Sequence, residues 1–219
     1  MSSKSEEMIT CPDCGKDGEF TIWHSINSQL DPEAKVDMMS GKIFEFVCPH
    51  CKSVHNVDYG FLYHQMEDQI MIQYSTTDED ATKGIEIFEE MTNDDMIGGL
   101  TIDVDYTYRI VRSQNQLREK VYIFDQGLDD RVIELMKVFM ISQLSQSNPE
   151  LEIEEMFLEM TEAGPESFAI RLRDGHWGST EFAQDLYDAI QDKFIKDSDD
   201  GKKEYMVNIR WAFEKLKEN

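Results

Sequence analysis

Arginine is missing from the first 108 residues of this 219-residue chain; the first is Arg109. Residues 1–75 carry five lysines (Lys4, Lys16, Lys35, Lys42, Lys52) against twelve acids, and the whole chain has a net charge of -24. Nucleic-acid binders need a basic stripe to displace counterions from phosphates, so this charge balance argues against DNA or RNA as a partner. Also missing is any apolar run near the roughly 20 residues that span a bilayer. The N-terminus MSSKSEEMIT lacks the basic-then-apolar layout of a secretory signal, which leads to an expectation of a cytoplasmic protein without a membrane. There is no G-x-x-x-x-G-K-[ST], G-x-G-x-x-G, H-E-x-x-H or G-x-S-x-G, so phosphate-loop, dinucleotide, zincin and serine-hydrolase chemistry have no sequence support. The acidic runs Asp78-Glu79-Asp80 and Asp197-Ser198-Asp199-Asp200 lack the glycine and glutamate of an EF-hand and read as solvated loops. Hydrophobic content of 40% is ample for a core, so a wholly disordered chain is excluded. The acidity itself reads as a solubility device, with an acidic docking surface as the alternative.

What is present is a set of four cysteines with none left over: Cys11 and Cys14 in CPDCG, Cys48 and Cys51 in CPHCK. A C-x-x-C turn aims both sulfurs at one point, and two such turns supply the four thiolates of a tetrahedral Zn²⁺ site with no open position. That makes zinc a structural cofactor here. Two other readings stay open: a redox pair, since CPHC also suits a thioredoxin-type oxidase, and an iron–sulfur cluster. The oxidase reading needs a helix at the first cysteine, whereas Lys52-Ser53-Val54-His55-Asn56 reads as turn and strand. His50 and His55 lie beside the second turn and read as outer groups, because four thiolates already saturate zinc. His24 reads as a core histidine on the face of Phe20, Ile22 and Ile26, and His64 has the same status.

The pattern of elements is α+β. Residues 1–75 form a zinc-ribbon-like β lobe with a helical insert. Its strands are expected at Glu19–Asn27, Lys42–Val47, Val54–Val57 and Gln69–Tyr74, with a helix capped by Asp31 and opened by Pro32 between the two cysteine pairs. A polar stretch from Ser75 to Thr82 marks a boundary. Residues 76–145 form an α+β continuation, with a helix over 84–91, a loop through Asn93-Asp94-Asp95 and Gly98-Gly99, a strand over 100–111 and helices around Leu117–Leu128 and from Asp129-Asp130. Residues 146–219 form a C-terminal α+β unit. Here Met156, Leu158 and Met160 pair in a hairpin with Phe168, Ile170 and Leu172. A helix over 180–194 capped by Ser179 or Thr180 follows, and then a last helix capped by Asn208 with Ile209, Ala212, Phe213 and Leu216 inward. The loop Arg171–Gly178 gathers Asp174, His176 and Trp177, which reads either as a binding or catalytic tip or as an ordinary turn anchored by Trp177.

CPDC and CPHC separated by a β-helix-β insert resemble the CpXC family of bacterial and archaeal proteins. Trp23–Asn27, Asp31-Pro32, Leu62-Tyr63-His64, Leu117–Lys120 and Phe124–Glu134 carry further parts of the likeness. The resemblance covers roughly residues 1–145 and implies a metal-binding module, with Cys11, Cys14, Cys48 and Cys51 as the matched positions. The functional expectation is a zinc-stabilised module that binds another protein. The alternatives are an enzyme whose site lies near Asp174 and His176, and a thiol redox protein using the two C-x-x-C pairs.

Overall fold

The computed structural model describes residues 2–93, 106–159, 161–195, 201 and 204–218. Two compact units divide the chain, Met1–Gln114 and Asn115–Asn219. Both mix helix and strand, as the sequence pattern implies.

The first unit is built on a five-stranded sheet whose strands lie in the spatial order Ser3–Thr10, Asp17–Asn27, Phe61–Gln65, Ile70–Tyr74 and Thr107–Val111. Strands β1 (Ser3–Thr10) and β2 (Asp17–Asn27) form an antiparallel hairpin whose last pair is Thr10 with Asp17. β2 then runs parallel to β5 (Phe61–Gln65), which returns antiparallel as β6 (Ile70–Tyr74). Helix α1 (Pro32–Ser40) follows β2. Asp31 makes no side-chain cap there. Instead the buried Asn27 turns the chain into the helix, its Oδ1 accepting from the N–H groups of Gln29 and Leu30. Gly41, at φ +84°, ends α1, and Lys42–Phe44 coil into one turn of 3₁₀ helix rather than the expected strand. Extended chain begins only at β3 (Glu45–Val47), which pairs with β4 (Val54–Asn56) as a separate two-stranded hairpin. The core beneath is aromatic: Phe44, Phe61 and Tyr74 are fully buried, and Phe44 meets the edge of Tyr74 at 6.1 Å.

The acidic stretch after Tyr74 opens a helix. α2 spans Asp78–Asn93, longer than the pattern at 84–91 implies. Thr77 Oγ1 accepts from the Asp80 N–H and donates to the Asp80 carboxylate, a reciprocal cap, while Asp78, Glu79 and Asp80 complement the helix dipole. α2 leads toward β7 (Thr107–Val111), which lies parallel to β6. The loop expected at residues 94–99, and residues 100–105 of the expected strand, lie outside the described residues.

The second unit opens with α3 (Gln114–Asp125) and α4 (Asp130–Ser147). Asp129 caps α4 by accepting from the Arg131 N–H. Strands β8 (Ile153–Leu158) and β9 (Ser167–Leu172) form the expected hairpin, although Met160 lies outside the described residues. Residues 177–181 are not helical: Gly175 at φ +87° turns the chain back, and Trp177–Glu181 adds β10 along β9. Ser179 and Thr180 are therefore strand residues rather than caps, and helix α5 covers Gln184–Ile190, continued by a π-helical turn over Gln191–Ile195. The acidic run at 197–200 lies outside the described residues. Asn208 caps α6 (Ile209–Glu218) through the Arg210 and Trp211 N–H groups. In α6 Ala212 is buried, but Phe213 is exposed because it lies off the buried side of the helix.

Candidate metal centre

Each cysteine pair sits at the tip of a hairpin, the first between β1 and β2 and the second between β3 and β4. The two tips have the same backbone plan. In the first, the Cys11 N–H donates to the Lys16 carbonyl and the Gly15 N–H to the Cys11 carbonyl, both at 2.9 Å. In the second, the Cys48 N–H donates to the Ser53 carbonyl at 2.9 Å and the Lys52 N–H to the Cys48 carbonyl at 3.0 Å. Pro12 and Pro49 follow the first cysteine of each turn, where a fixed φ favours the bend. The residue after the second cysteine is left-handed in both, at φ +69° for Gly15 and +65° for Lys52. Glycine adopts that region freely, whereas Lys52 is a strained exception held by its turn.

The tips converge. Cys11 and Cys51 sulfurs lie 3.6 Å apart, as do those of Cys14 and Cys48, and all four sit within 4.8 Å of one another. All four are free cysteines. With a metal–sulfur bond of about 2.3 Å, the edge of a tetrahedral four-thiolate site is ~3.8 Å, so the spacing suits a single ion. Polynuclear iron–sulfur clusters place their thiolates on different irons and spread them further.

The two halves of the cluster differ in cover. Cys11 and Cys48 are fully buried and pack with Phe20 and Phe46, whose rings meet edge to face at 6.2 Å. Cys14 is half-buried and Cys51 is exposed. The second tip docks closely on β2: a side chain added at Gly18 would meet Pro49 Cδ at 2.6 Å, and the His50 ring donates to the Asp17 carbonyl at 3.1 Å.

An outer layer holds the sulfurs. The Ser53 hydroxyl lies 3.3 Å from Cys11 Sγ and 3.0 Å from Cys51 Sγ. Behind it, His55 Nε2 is 3.0 Å from Ser53 Oγ, 3.7 Å from Cys11 Sγ and 3.3 Å from an Asp13 carboxylate oxygen. The Ser53 hydroxyl, helped by the N–H groups of Cys14 and Asp13, holds the Cys11 thiol down to about 5 against the effect of burial. The hydroxyl and N–H of Ser53 lower Cys51 as well. For Cys14 the Lys16 N–H favours the thiolate, but burial and the three neighbouring sulfurs outweigh it and push the thiol up to about 12. Four thiolates this close repel one another, so full ionisation of the set calls for a cation among them.

The other candidate groups stand apart from this cluster. His24 is exposed on β2 and hydrogen-bonds Ser5 at 2.9 Å, so it is not a core histidine. His64 is half-buried against the Tyr106 hydroxyl at 2.7 Å, and burial lowers its pKa. Asp174 and His176 pair at 3.1 Å on the turn between β9 and β10, with side chains 62% and 81% exposed. The His176 N–H and ring hold the Asp174 carboxyl below its ordinary value. Trp177 is 61% exposed and does not anchor the turn.

Two hairpin tips that present four converging sulfurs define a cysteine-cluster protein of a kind compatible with metal binding. The chain belongs to the CpXC protein family, which it matches over residues 9–137, more than half its length. No curated protein and no solved structure matches the chain. Among the described residues no helix is long and apolar enough to cross a membrane.

Proposed function

We propose that Cys11, Cys14, Cys48 and Cys51 hold one Zn²⁺ as a structural staple, and that the stapled lobe is a cytoplasmic protein-interaction module. The observation that carries the metal is the convergence of four sulfurs within 4.8 Å of one another, from two tips with the same backbone plan. An all-thiolate tetrahedral donor set suits zinc, whose four bonds it fills, leaving no position for a substrate. The ion supplies the positive charge that lets all four thiols ionise. The chain supplies N–H groups and the Ser53 hydroxyl to the sulfurs, and Phe20 and Phe46 as dry packing behind them. A protein partner is favoured by charge, which disfavours nucleic acid, and by the exposed cross-strand pair of Val47 (52%) and Val54 (59%) on the second hairpin.

The test is metal and thiol analysis of protein purified without added metal. One zinc per chain, with four thiols reactive only after denaturation or chelation, supports the staple. Metal-free protein with reactive thiols would favour the redox reading of the two C-x-x-C pairs. Crosslinking in cell extract tests the module: a specific protein held at residues 1–114 supports it, and crosslinks to nucleic acid alone would contradict it.

A further inference from the structure

The four sulfurs are not equivalent. Cys11 and Cys48 are sealed behind Phe20 and Phe46, Cys14 is half-buried, and Cys51 alone is exposed. Across the cluster, in the other hairpin, Cys11 Sγ lies 3.6 Å from Cys51 Sγ and shares the Ser53 hydroxyl with it. A metal-bound thiolate keeps enough electron density to attack an electrophile, and access then decides which one reacts.

We propose that Cys51 is the reactive sulfur of the centre, attacked first by peroxides and soft electrophiles, and that Cys11 resolves it into a disulfide that joins the two hairpins as the ion is released. The inference rests on the metal-staple reading above. The Cys51 thiolate attacks one peroxide oxygen; an S–O bond forms, the O–O bond breaks, and hydroxide leaves. The Cys11 thiolate then attacks the Cys51 sulfur; the S–S bond forms, the S–O bond breaks, and a second hydroxide leaves. Two thiolates lose two electrons to the peroxide, which is reduced to two hydroxides, and these take two protons from the buffer acid to become water. The ion loses two of its four ligands with no change in its own charge. Because Cys11 and Cys51 lie 40 residues apart in different hairpins, the product replaces an ionic tie between the tips with a covalent one. A disulfide inside either C-x-x-C turn would leave the two hairpins untied.

The experiment uses the full chain as purified, with its metal. It is treated separately with sub-stoichiometric N-ethylmaleimide and with hydrogen peroxide, then quenched. Released metal is read with a chromophoric chelator, and the modified cysteines are mapped by peptide mass spectrometry. The expected result is first alkylation at Cys51, at least five-fold ahead of Cys14, and a Cys11–Cys51 disulfide forming in step with release of one ion. A Cys48–Cys51 or Cys11–Cys14 disulfide, equal alkylation of all four thiols, or retention of metal after Cys51 reacts would overturn the proposal and leave the staple standing. Protein that carries no metal at the outset would overturn both.

Discussion

The two units face one problem, how to bury charge-bearing groups, and answer it with different chemistry. In the first, four thiols converge, with the Ser53 hydroxyl and the His55 ring set beside them. In the second, α3 and α4 bury a network that carries both signs. Lys120 bridges Asp130 at 2.8 Å and Glu134 at 3.4 Å, and Lys137 bridges Glu119 at 2.7 Å and Glu134 at 3.1 Å. All five side chains are at most 5% exposed. Glu119 also accepts the Leu158 N–H at 2.6 Å, which ties the network to β8. The second unit thus supplies its own counterions, whereas the first, on the metal reading proposed above, takes one from outside. The difference separates what should destabilise each: chelators and acid for the cysteine lobe, loss of a single lysine for the other.

The largest effect should come from removing a buried ligand. Cys48→Ser is expected to abolish metal binding and unfold the cysteine lobe, since structural zinc contributes on the order of 10 kcal/mol to a small domain. Circular dichroism and metal analysis would check it, and an intact, metal-bound lobe would blur the contrast between the units. Next, Lys137→Met removes the lysine from Glu119 and leaves Glu134 to Lys120 alone in a dry interior, at a cost of about 3–5 kcal/mol. Chemical denaturation should show the second unit weakened while the metal stays bound. Gly18→Ala drives a methyl into Pro49 and the Phe46 ring, and about 1–3 kcal/mol of overpacking should appear as faster metal loss to a chelator. Smaller still, Asp129→Ala removes the α4 cap for about 1 kcal/mol, read as a lowered melting temperature.

pH sharpens the same comparison. Burial alone would push the Lys137 ammonium down, but Glu119 and Glu134 outweigh it and hold its pKa above the ordinary value. A raised folded value means the lysine's contribution is complete below its unfolded pKa of about 10.4 and is lost as pH climbs through the folded one. Glu119 is the opposite case: burial raises its carboxyl despite Lys137, so its ionisation costs stability as pH rises above about 4.3. Alkaline titration followed by denaturation should therefore weaken the native chain above pH ~10.4, and the Lys137→Met variant should show no such extra loss.

The cysteine set is legible in the sequence because its signal is local: C-P-x-C bends itself, and two copies need only meet. Its outer layer is not legible in the same way. Asp13, Ser53 and His55 come together only because β3 and β4 return the second tip to the first, more than 30 residues away in sequence. The helical caps at Asp129 and Asn208 follow from residue type and position. The misread segments share a cause: periodicity does not report which strand a segment pairs with. β1 and β10 carry weak alternation and become strands through hairpin pairing with β2 and β9, while Phe61–Gln65 is drawn into the sheet by parallel contact with β2. The ion network stays hidden for a related reason. Leu117, Val121, Phe124 and Leu128 suggest one apolar stripe, which leaves Glu119 and Lys120 to solvent, yet α3 is buried on those sides too. The signal is in the charges themselves, since Glu134 and Lys137 sit one turn apart within the apolar run from Val132 to Ile141.

The most direct test of the account is hydrogen exchange on the full chain before and after chelation, read by mass spectrometry. One ion should be lost, with protection collapsing at both hairpin tips, residues 8–20 and 44–57, while α3 and α4 keep theirs. Unchanged protection at the tips after the ion is gone would contradict it.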